Sequence, residues 1–217
     1  MVYPGVTKPF SPADLERRAR FWGRLLARFP GVAAIFLSGS LSQGRATASS
    51  DIDFFIVAWP GRIFTARIGV LVALLVCGRL AHGDKNHARK ICPNHFVTTD
   101  YLEFRERGPY YAHLVAHNRL LGGEERVWEL FKAANQGWIR DYGCDFQEEV
   151  TAEATLAARR RSRFGDLLET AFRRMQRFKH RLHAPRLTEE SRVWLTDHEI
   201  RLHPNPPKTI IGDLREG

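Results

Sequence analysis

Two carboxylates one residue apart are the strongest chemical signal in the sequence. Asp51 and Asp53 flank Ile52 at the start of an apolar run that continues to Ala58. Because side chains alternate between the two faces of a strand, both carboxylates lie on one face while Ile52 points into the core. Adjacent carboxylates repel each other unless a cation lies between them, and oxygen ligands of this kind suit Mg²⁺. The pair therefore predicts a divalent-metal site at the start of a strand.

A Gly-Ser pair lies shortly upstream of the two carboxylates. Gly39 and Ser40 follow the apolar run that ends at Leu37, and mainly small or polar residues separate them from Asp51. Glycine allows the backbone to approach a phosphate closely, and the N-terminus of the following helix and the Ser40 hydroxyl supply donors to its oxygens. The pair therefore predicts a phosphate-binding turn beside the metal site.

This arrangement resembles the nucleotidyltransferase signature of the polymerase-beta-like superfamily, in its minimal bacterial and archaeal form. The residues that carry the resemblance are Leu37, Gly39, Ser40, Asp51 and Asp53. The resemblance implies an α/β (α+β) fold, in which a small mixed sheet is flanked by helices and followed by a C-terminal helical segment. It also implies Mg²⁺- or Mn²⁺-dependent transfer of a nucleoside monophosphate from a nucleoside triphosphate to an acceptor hydroxyl.

The resemblance also implies a role for each element of the signature. The two carboxylates would be the catalytic residues that hold the metal, and the Gly-Ser pair would bind the β- and γ-phosphates. We expect Lys90 to add a positive charge to the triphosphate. That expectation rests on position alone, and Lys85 and Arg89 share it.

The third ligand of the site is the point at which this sequence departs from the superfamily. A neighbouring strand usually supplies a third carboxylate, which completes the metal site and acts as a base or ligand. We expect that strand at Ile91–Thr98, which contains no Asp or Glu. The candidates for the third position are Asn94 and His95 within the strand and Asp100 just after it. An Asn94 carbonyl can ligate a metal but is a poor base.

The missing acid keeps two other functions open. One is a catalytically impaired binding module with the same fold, antitoxin-like or regulatory. The other is an RNA-binding accessory protein that uses the basic, amphipathic helix predicted over residues 151–183. If the protein is an enzyme, its acceptor is a small molecule, a protein hydroxyl or RNA.

Patterned segments place the signature on a framework of helices and strands. Ser11 as N-cap, Pro12 at the first helical position and Asp14 in the first turn predict the start of the first helix. The further predicted elements are a strand at 32–37, a short helix or loop at 41–48, a strand at 51–58, an apolar helix at about 63–80, a strand at 91–98, helices at 112–121 and 124–142, and the basic helix at 151–183, either continuous or broken into two helices near Gly165. They divide the chain into a nucleotidyltransferase-like core at 1–105, a helical segment packed on it at 106–183 and an irregular tail at 184–217.

Composition indicates the setting of the protein. The net charge of +9 favours anionic partners such as nucleotides. Three widely separated cysteines indicate neither a disulfide framework nor a zinc site, and they favour a reducing cytoplasm. The most apolar stretch, between Arg67 and Arg79, is shorter than the roughly 20 residues of a membrane-spanning helix. We therefore expect a cytoplasmic protein without a transmembrane segment.

Overall fold

The computed structural model describes residues 11–81, 87–147, 162–183 and 192–203. Within these ranges the chain forms six helices and six strands. The helices are α1 (Pro12–Leu26), α2 (Gly39–Ser42), α3 (Ile63–Val76), α4 (Pro109–Ala116), α5 (Glu125–Arg140) and α6 (Arg163–His183). The strands are β1 (Val32–Ser38), β2 (Ile52–Ala58), β3 (Ile91–Thr98), β4 (Arg119–Gly123), β5 (Arg192–Leu195) and β6 (Glu199–His203).

The six strands form one mixed sheet in the order β4-β1-β2-β3-β6-β5. β2 and β3 run parallel, and every other neighbouring pair is antiparallel. A parallel pair needs a long crossover, and α3 lies in the crossover between β2 and β3. The mixed sheet and its flanking helices confirm the predicted α/β (α+β) fold class.

Helices cover both faces of the sheet, and each face has its own apolar core. On one face α1 and α3 pack over residues such as Ile52 and Phe54 of β2. On the other face α4 and α5 pack over Phe36 of β1 and Phe55 of β2. Side chains alternate along a strand, so Asp53 shares the face of Phe55. The carboxylate of Asp53 therefore emerges on the side that α4 and α5 cover.

The start of α1 has the local structure that its sequence predicts. Ser11 is the N-cap, and its hydroxyl accepts a hydrogen bond from the backbone N–H of Asp14 at 3.3 Å. The carboxylate of Asp14 accepts one in return from the backbone N–H of Ser11 at 3.0 Å. This reciprocal pair satisfies two donors that a helix start otherwise leaves unbonded. The predicted cap and Pro12 at the first helical position are confirmed.

The N-terminus of α3 is capped by a side chain from α6. No side chain at its own N-cap, Arg62, forms a capping bond. Instead the buried carboxylate of Glu169 accepts hydrogen bonds from the backbone N–H groups of Phe64 at 3.0 Å and Thr65 at 2.8 Å. Asp166, one turn earlier on α6, forms an ion pair with Arg62 at 2.6 Å. α6 is thereby fixed to the helix that joins β2 to β3.

No helix of the described ranges is long and apolar enough to cross a membrane.

Two segments differ from the sequence prediction. The helix predicted at 112–121 ends at Ala116, and the chain then forms β4 beside β1. Gly123 permits that pairing, because a Cβ there would lie 2.6 Å from the Cα of Ala34. The tail predicted to be irregular contains the hairpin β5–β6, which pairs with β3. The sheet therefore takes strands from all three predicted segments of the chain. Residues 151–161 of the predicted basic helix lie outside the described ranges.

Candidate functional site

The edge of the sheet at which β2 and β3 begin brings the two predicted ligands together with a thiol. Asp53 pairs with Ser38 of β1 on one side and with Cys92 of β3 on the other. Asp51 lies immediately before β2. Ligand atoms of Asp51, Asp53 and Cys92 all lie within 4.8 Å of one another, and each residue is partly buried. The described part of the chain holds no other group of three or more such ligands.

Gly39 holds the Gly-Ser turn directly against this cluster. Its φ of +72° lies in the left-handed region, which glycine adopts without steric cost. A Cβ at this position would lie 2.8 Å from Cγ of Asp53 and closer still to Oδ2. Any side chain at residue 39 would therefore displace the carboxylate. The sequence-predicted turn and the sequence-predicted metal ligand are in contact.

Ser40 lies in the first turn of α2 and is partly exposed. The backbone N–H of Arg45 donates to the Ser40 carbonyl at 2.9 Å, and the Ser42 hydroxyl donates to the Gly39 carbonyl at 2.9 Å. These bonds engage carbonyl groups of the turn. The first N–H groups of a helix have no partner inside it. The turn therefore has the donors that a phosphate requires.

Burial and two neighbouring groups act on the pKa of Asp51 in opposite directions. Burial raises the pKa of Asp51, because a desolvated carboxylate favours its neutral form. A hydrogen bond from its own backbone amide and the charge of His87 act in the opposite direction. A cation between the carboxylates would favour the charged form of both.

The segment that precedes β3 lies alongside the carboxylate strand. The backbone N–H of Ile52 donates to the Lys90 carbonyl at 2.8 Å, and the N–H of Arg89 donates to the Ser50 carbonyl at 2.9 Å. Arg89 adopts φ +65°, an unusual conformation for a residue with a side chain. Lys90, which was predicted to bind the triphosphate, thus lies beside the start of β2, at the end of the sheet that carries the cluster. Lys85, the other predicted lysine, lies outside the described residues.

Cys92, and none of the predicted candidates, is the register partner of Asp53. His95 is buried, and its Nε2 lies 3.0 Å from a carboxylate oxygen of Glu199. Asp100 follows the far end of β3 and lies 3.6 Å from Nδ1 of His198. The six residue-to-residue steps from Cys92 to Thr98 extend roughly 20 Å at about 3.3 Å each, so Asp100 is not brought to the cluster.

The remaining candidate, Asn94, lies in β3 at a shift in the register with β2. Between the pairs Asp53–Cys92 and Phe55–His95, β2 advances two residues and β3 advances three. Asn94 is therefore two residues beyond the partner of Asp53. The sequence does not show that Cys92 is the residue opposite Asp53, because that position is set by the register between β2 and β3.

Helix α4 brings Tyr110 within electrostatic range of the site, which the sequence did not indicate. Burial raises the pKa of Tyr110, the charges of Tyr111 and Asp53 add to that effect, and Arg45 opposes it. Burial, His117 and Arg45 lower the pKa of the exposed His113. The charges of the Asp53 carboxylate and the Arg45 guanidinium therefore both reach Tyr110. Signals of this kind depend on the packing of α4 over the sheet and have no local sequence pattern.

Comparison with known proteins finds a family model that matches part of the chain. Residues 18–91 match the family model described as nucleotidyltransferase domain. The match runs from α1 to the first residue of β3 and includes the Gly-Ser turn and both aspartates, so the predicted resemblance is confirmed over these residues.

One solved structure, a crystal structure of a toxin-antitoxin with AMP-PNP, aligns with 80% of this chain and 95% of its own. The identity is 13% and the TM-score is 0.27, too low for any conclusion about this chain. No curated protein matches the sequence.

Proposed function

We propose that the protein is a nucleotidyltransferase that moves a nucleoside monophosphate from a nucleoside triphosphate to an acceptor hydroxyl. In this reaction the acceptor oxygen forms a bond to the α-phosphorus, the bond from that phosphorus to the bridging oxygen breaks, and pyrophosphate leaves. The acceptor hydroxyl loses its proton. The acceptor classes that remain are a small molecule, a protein hydroxyl and RNA.

The chain's own residues would bind and orient the triphosphate. Gly39 and Ser40 would donate to the β- and γ-phosphates from the turn, and Lys90 would neutralise part of their charge. Asp51 and Asp53 would hold a divalent cation, which the family resemblance implies to be Mg²⁺ or Mn²⁺. Three convergent ligands fit a divalent cation. Such a cation supplies positive charge that stabilises the reacting phosphates.

The observation that carries the proposal is the contact between the turn and the carboxylate. Gly39 lies against Asp53 so closely that no other residue fits without displacing it. A phosphate held by the turn would therefore lie beside the metal ligands. An acidic surface edge without a ligand would have no need of this close approach.

Labelled ATP, GTP, CTP and UTP test the proposal when each is incubated with the protein, Mg²⁺ or Mn²⁺ and an acceptor panel. We expect pyrophosphate release or transfer of label with at least one nucleotide. Asp51→Asn and Asp53→Asn should abolish it. Asp100→Asn is the matched control, since Asp100 is an exposed acid beyond the other end of β3, and it should retain full activity. Equal activity in all three variants would overturn the assignment.

A second function is favoured by one observation, the thiol at the position opposite Asp53. Without a third carboxylate the same site can bind a nucleotide and perform no transfer, as in the impaired module that the sequence left open. The two functions differ in one measurement. A binding module retains metal-dependent nucleotide affinity that Asp53→Asn weakens, and it releases no pyrophosphate with any acceptor.

A further inference from the structure

We propose that Cys92 is a metal ligand, and that Asp51, Asp53 and Cys92 together bind a borderline divalent cation such as Co²⁺ or Zn²⁺ in preference to Mg²⁺. The inference rests on the proposed function, because it names the preferred metal of the same site. It departs from the family resemblance, which implies Mg²⁺ or Mn²⁺ on oxygen ligands alone.

The backbone places the thiol where a third ligand is needed. Cys92 is the register partner of Asp53 on the adjacent parallel strand, and the ligand atoms of the cluster lie within 4.8 Å of one another. Around one tetrahedral ion, with metal–oxygen and metal–sulfur distances of about 2.0 and 2.3 Å, ligand atoms are roughly 3.5 Å apart. Side-chain rotations that move each atom by about 1 Å would close the site.

The chemistry of the donor set selects the class of metal. Mg²⁺ takes hard oxygen ligands in an octahedral arrangement, and a thiolate is a poor member of that set. Thiolates favour softer cations, and affinities for mixed oxygen, nitrogen and sulfur sites rise from Mn²⁺ through Co²⁺. Zn²⁺ accepts both carboxylate and thiolate ligands. A site with two carboxylates and one thiolate therefore favours Co²⁺ or Zn²⁺.

The sequence spacing of the cysteines indicated no zinc site, because no two of them lie close together. The register explains the difference, since the partners of Cys92 are carboxylates from another strand. The other cysteines are elsewhere. Cys77 is exposed at the end of α3, and Cys144 lies in the loop after α5. Replacing both with serine leaves Cys92 as the single thiol of the chain.

Cobalt absorption tests the proposal on the full chain. In the Cys77→Ser/Cys144→Ser background, metal-free protein is titrated with Co²⁺, and the near-ultraviolet thiolate-to-cobalt charge-transfer band is recorded. We expect the band to saturate at one equivalent, to be absent with Cys92→Ser added and to weaken with Asp51→Asn added. Loss of the thiol should weaken Co²⁺ affinity by at least about 100-fold, because even the outer partners of metal ligands change affinity by about 10–100-fold. Circular dichroism verifies that each variant is folded.

Competition with Mg²⁺ measures the selectivity of the site for Co²⁺ over Mg²⁺. Excess Mg²⁺ should leave the cobalt band unchanged in the protein with Cys92, whereas Cys92→Asp should shift the Co²⁺-to-Mg²⁺ affinity ratio toward Mg²⁺ by about 100-fold. Saturation without a charge-transfer band, or equal Co²⁺ affinity with and without the thiol, would overturn the proposal.

A second readout needs no change at Cys92. When Zn²⁺ is added, alkylation of the single-thiol protein by iodoacetamide should slow by at least about tenfold, the smallest effect on affinity expected for groups at a metal site. Mg²⁺ should leave the alkylation rate unchanged. Protection by neither cation would contradict thiolate ligation.

Cobalt ligation in a protein that transfers no nucleotide would refute only the proposed function. Mg²⁺-dependent transfer that Cys92→Ser leaves intact, without a cobalt band in the single-thiol protein, would refute only this inference.

Discussion

Gly39 lies so close to the side chain of Asp53 that a Cβ atom at residue 39 would be only 2.8 Å from Cγ of Asp53. The contact joins the turn between β1 and α2 to the end of the β1–β2 ladder, where Ser38 pairs with Asp53. Glycine at this position serves two requirements, the left-handed backbone and the space for the carboxylate.

Gly39→Ala should weaken metal binding and abolish any nucleotide transfer, because the added methyl displaces the Asp53 carboxylate. The backbone strain of an alanine at positive φ costs about 1–2 kcal/mol. Gly44→Ala is a matched control, since Gly44 has φ +69° with nothing within 4 Å of its Cβ position. Urea unfolding and Co²⁺ titration of both variants separate the two effects. Equal metal affinities in the two variants would show that the contact with Asp53 is unimportant.

The carboxylate pair and the Gly-Ser turn could be predicted from sequence because both are local. A spacing of two residues places Asp51 and Asp53 on one strand face, and a glycine between a strand and a helix marks a turn. The cap of α1 is local in the same sense, since Ser11 and Asp14 bond to each other. Each of these features needs only a few neighbouring residues.

The third ligand and the outer strands could not be predicted in the same way because they depend on distant pairing. Cys92 reaches Asp53 only through the parallel register of β2 and β3, which has no local sequence signal. The hairpin β5–β6 is held to β3 through pairs such as His95 with Arg201. Its strands are four and five residues long, too short for a clear alternating pattern.

Glu169→Gln should destabilise the protein by about 1–3 kcal/mol, because a buried carboxylate that accepts backbone N–H bonds is replaced by an amide with a single acceptor. The carboxylate also favours the positive N-terminus of α3. Asp166→Asn is the matched control on the same helix. Asp166 is half exposed in its ion pair with Arg62, so its loss should cost about 0–1 kcal/mol. Urea unfolding measures both, and equal losses would contradict the capping role of Glu169.

Stability should fall as the pH drops below about 6.5 because of His95. Burial lowers the pKa of His95 in the folded protein, where the neutral ring donates from Nε2 to Glu199. The unfolded chain binds a proton at the ordinary histidine pKa while the folded chain does not, so the unfolded state gains stability as pH falls. One proton contributes at most about 1.4 kcal/mol per pH unit.

The histidine contribution is measured by urea unfolding between pH 5 and 8, about the range in which an ordinary histidine titrates. His95→Gln should reduce the dependence of the unfolding free energy on pH below about 6.5, the ordinary pKa of histidine. The control is His198→Gln, because His198 is exposed on the turn between β5 and β6. An unchanged slope in His95→Gln would assign the pH dependence to other groups.

Lys90 and Arg45 should both bind the triphosphate of a nucleotide. Lys90 precedes β3, and its carbonyl is bonded to the first residue of β2. Arg45 is bonded through its backbone to Ser40, and its charge, like that of Asp53, acts on Tyr110. A charge-assisted hydrogen bond contributes about 1.5–3 kcal/mol, so Lys90→Gln and Arg45→Gln should each weaken triphosphate binding by roughly 10–100-fold.

Calorimetric titration with ATP and AMP, in the presence of metal, distinguishes contact with the triphosphate from a general loss of charge. Affinity for AMP should change much less than affinity for ATP, because AMP lacks the β- and γ-phosphates. Arg126→Gln is the control, since Arg126 is exposed in the first turn of α5, which follows the end of β4 remote from Ser38. Screening acts on all surface charges alike. A similar loss of ATP affinity in Arg126→Gln would therefore indicate an effect of net charge. A loss confined to the Lys90 and Arg45 variants would assign triphosphate contacts to these two residues.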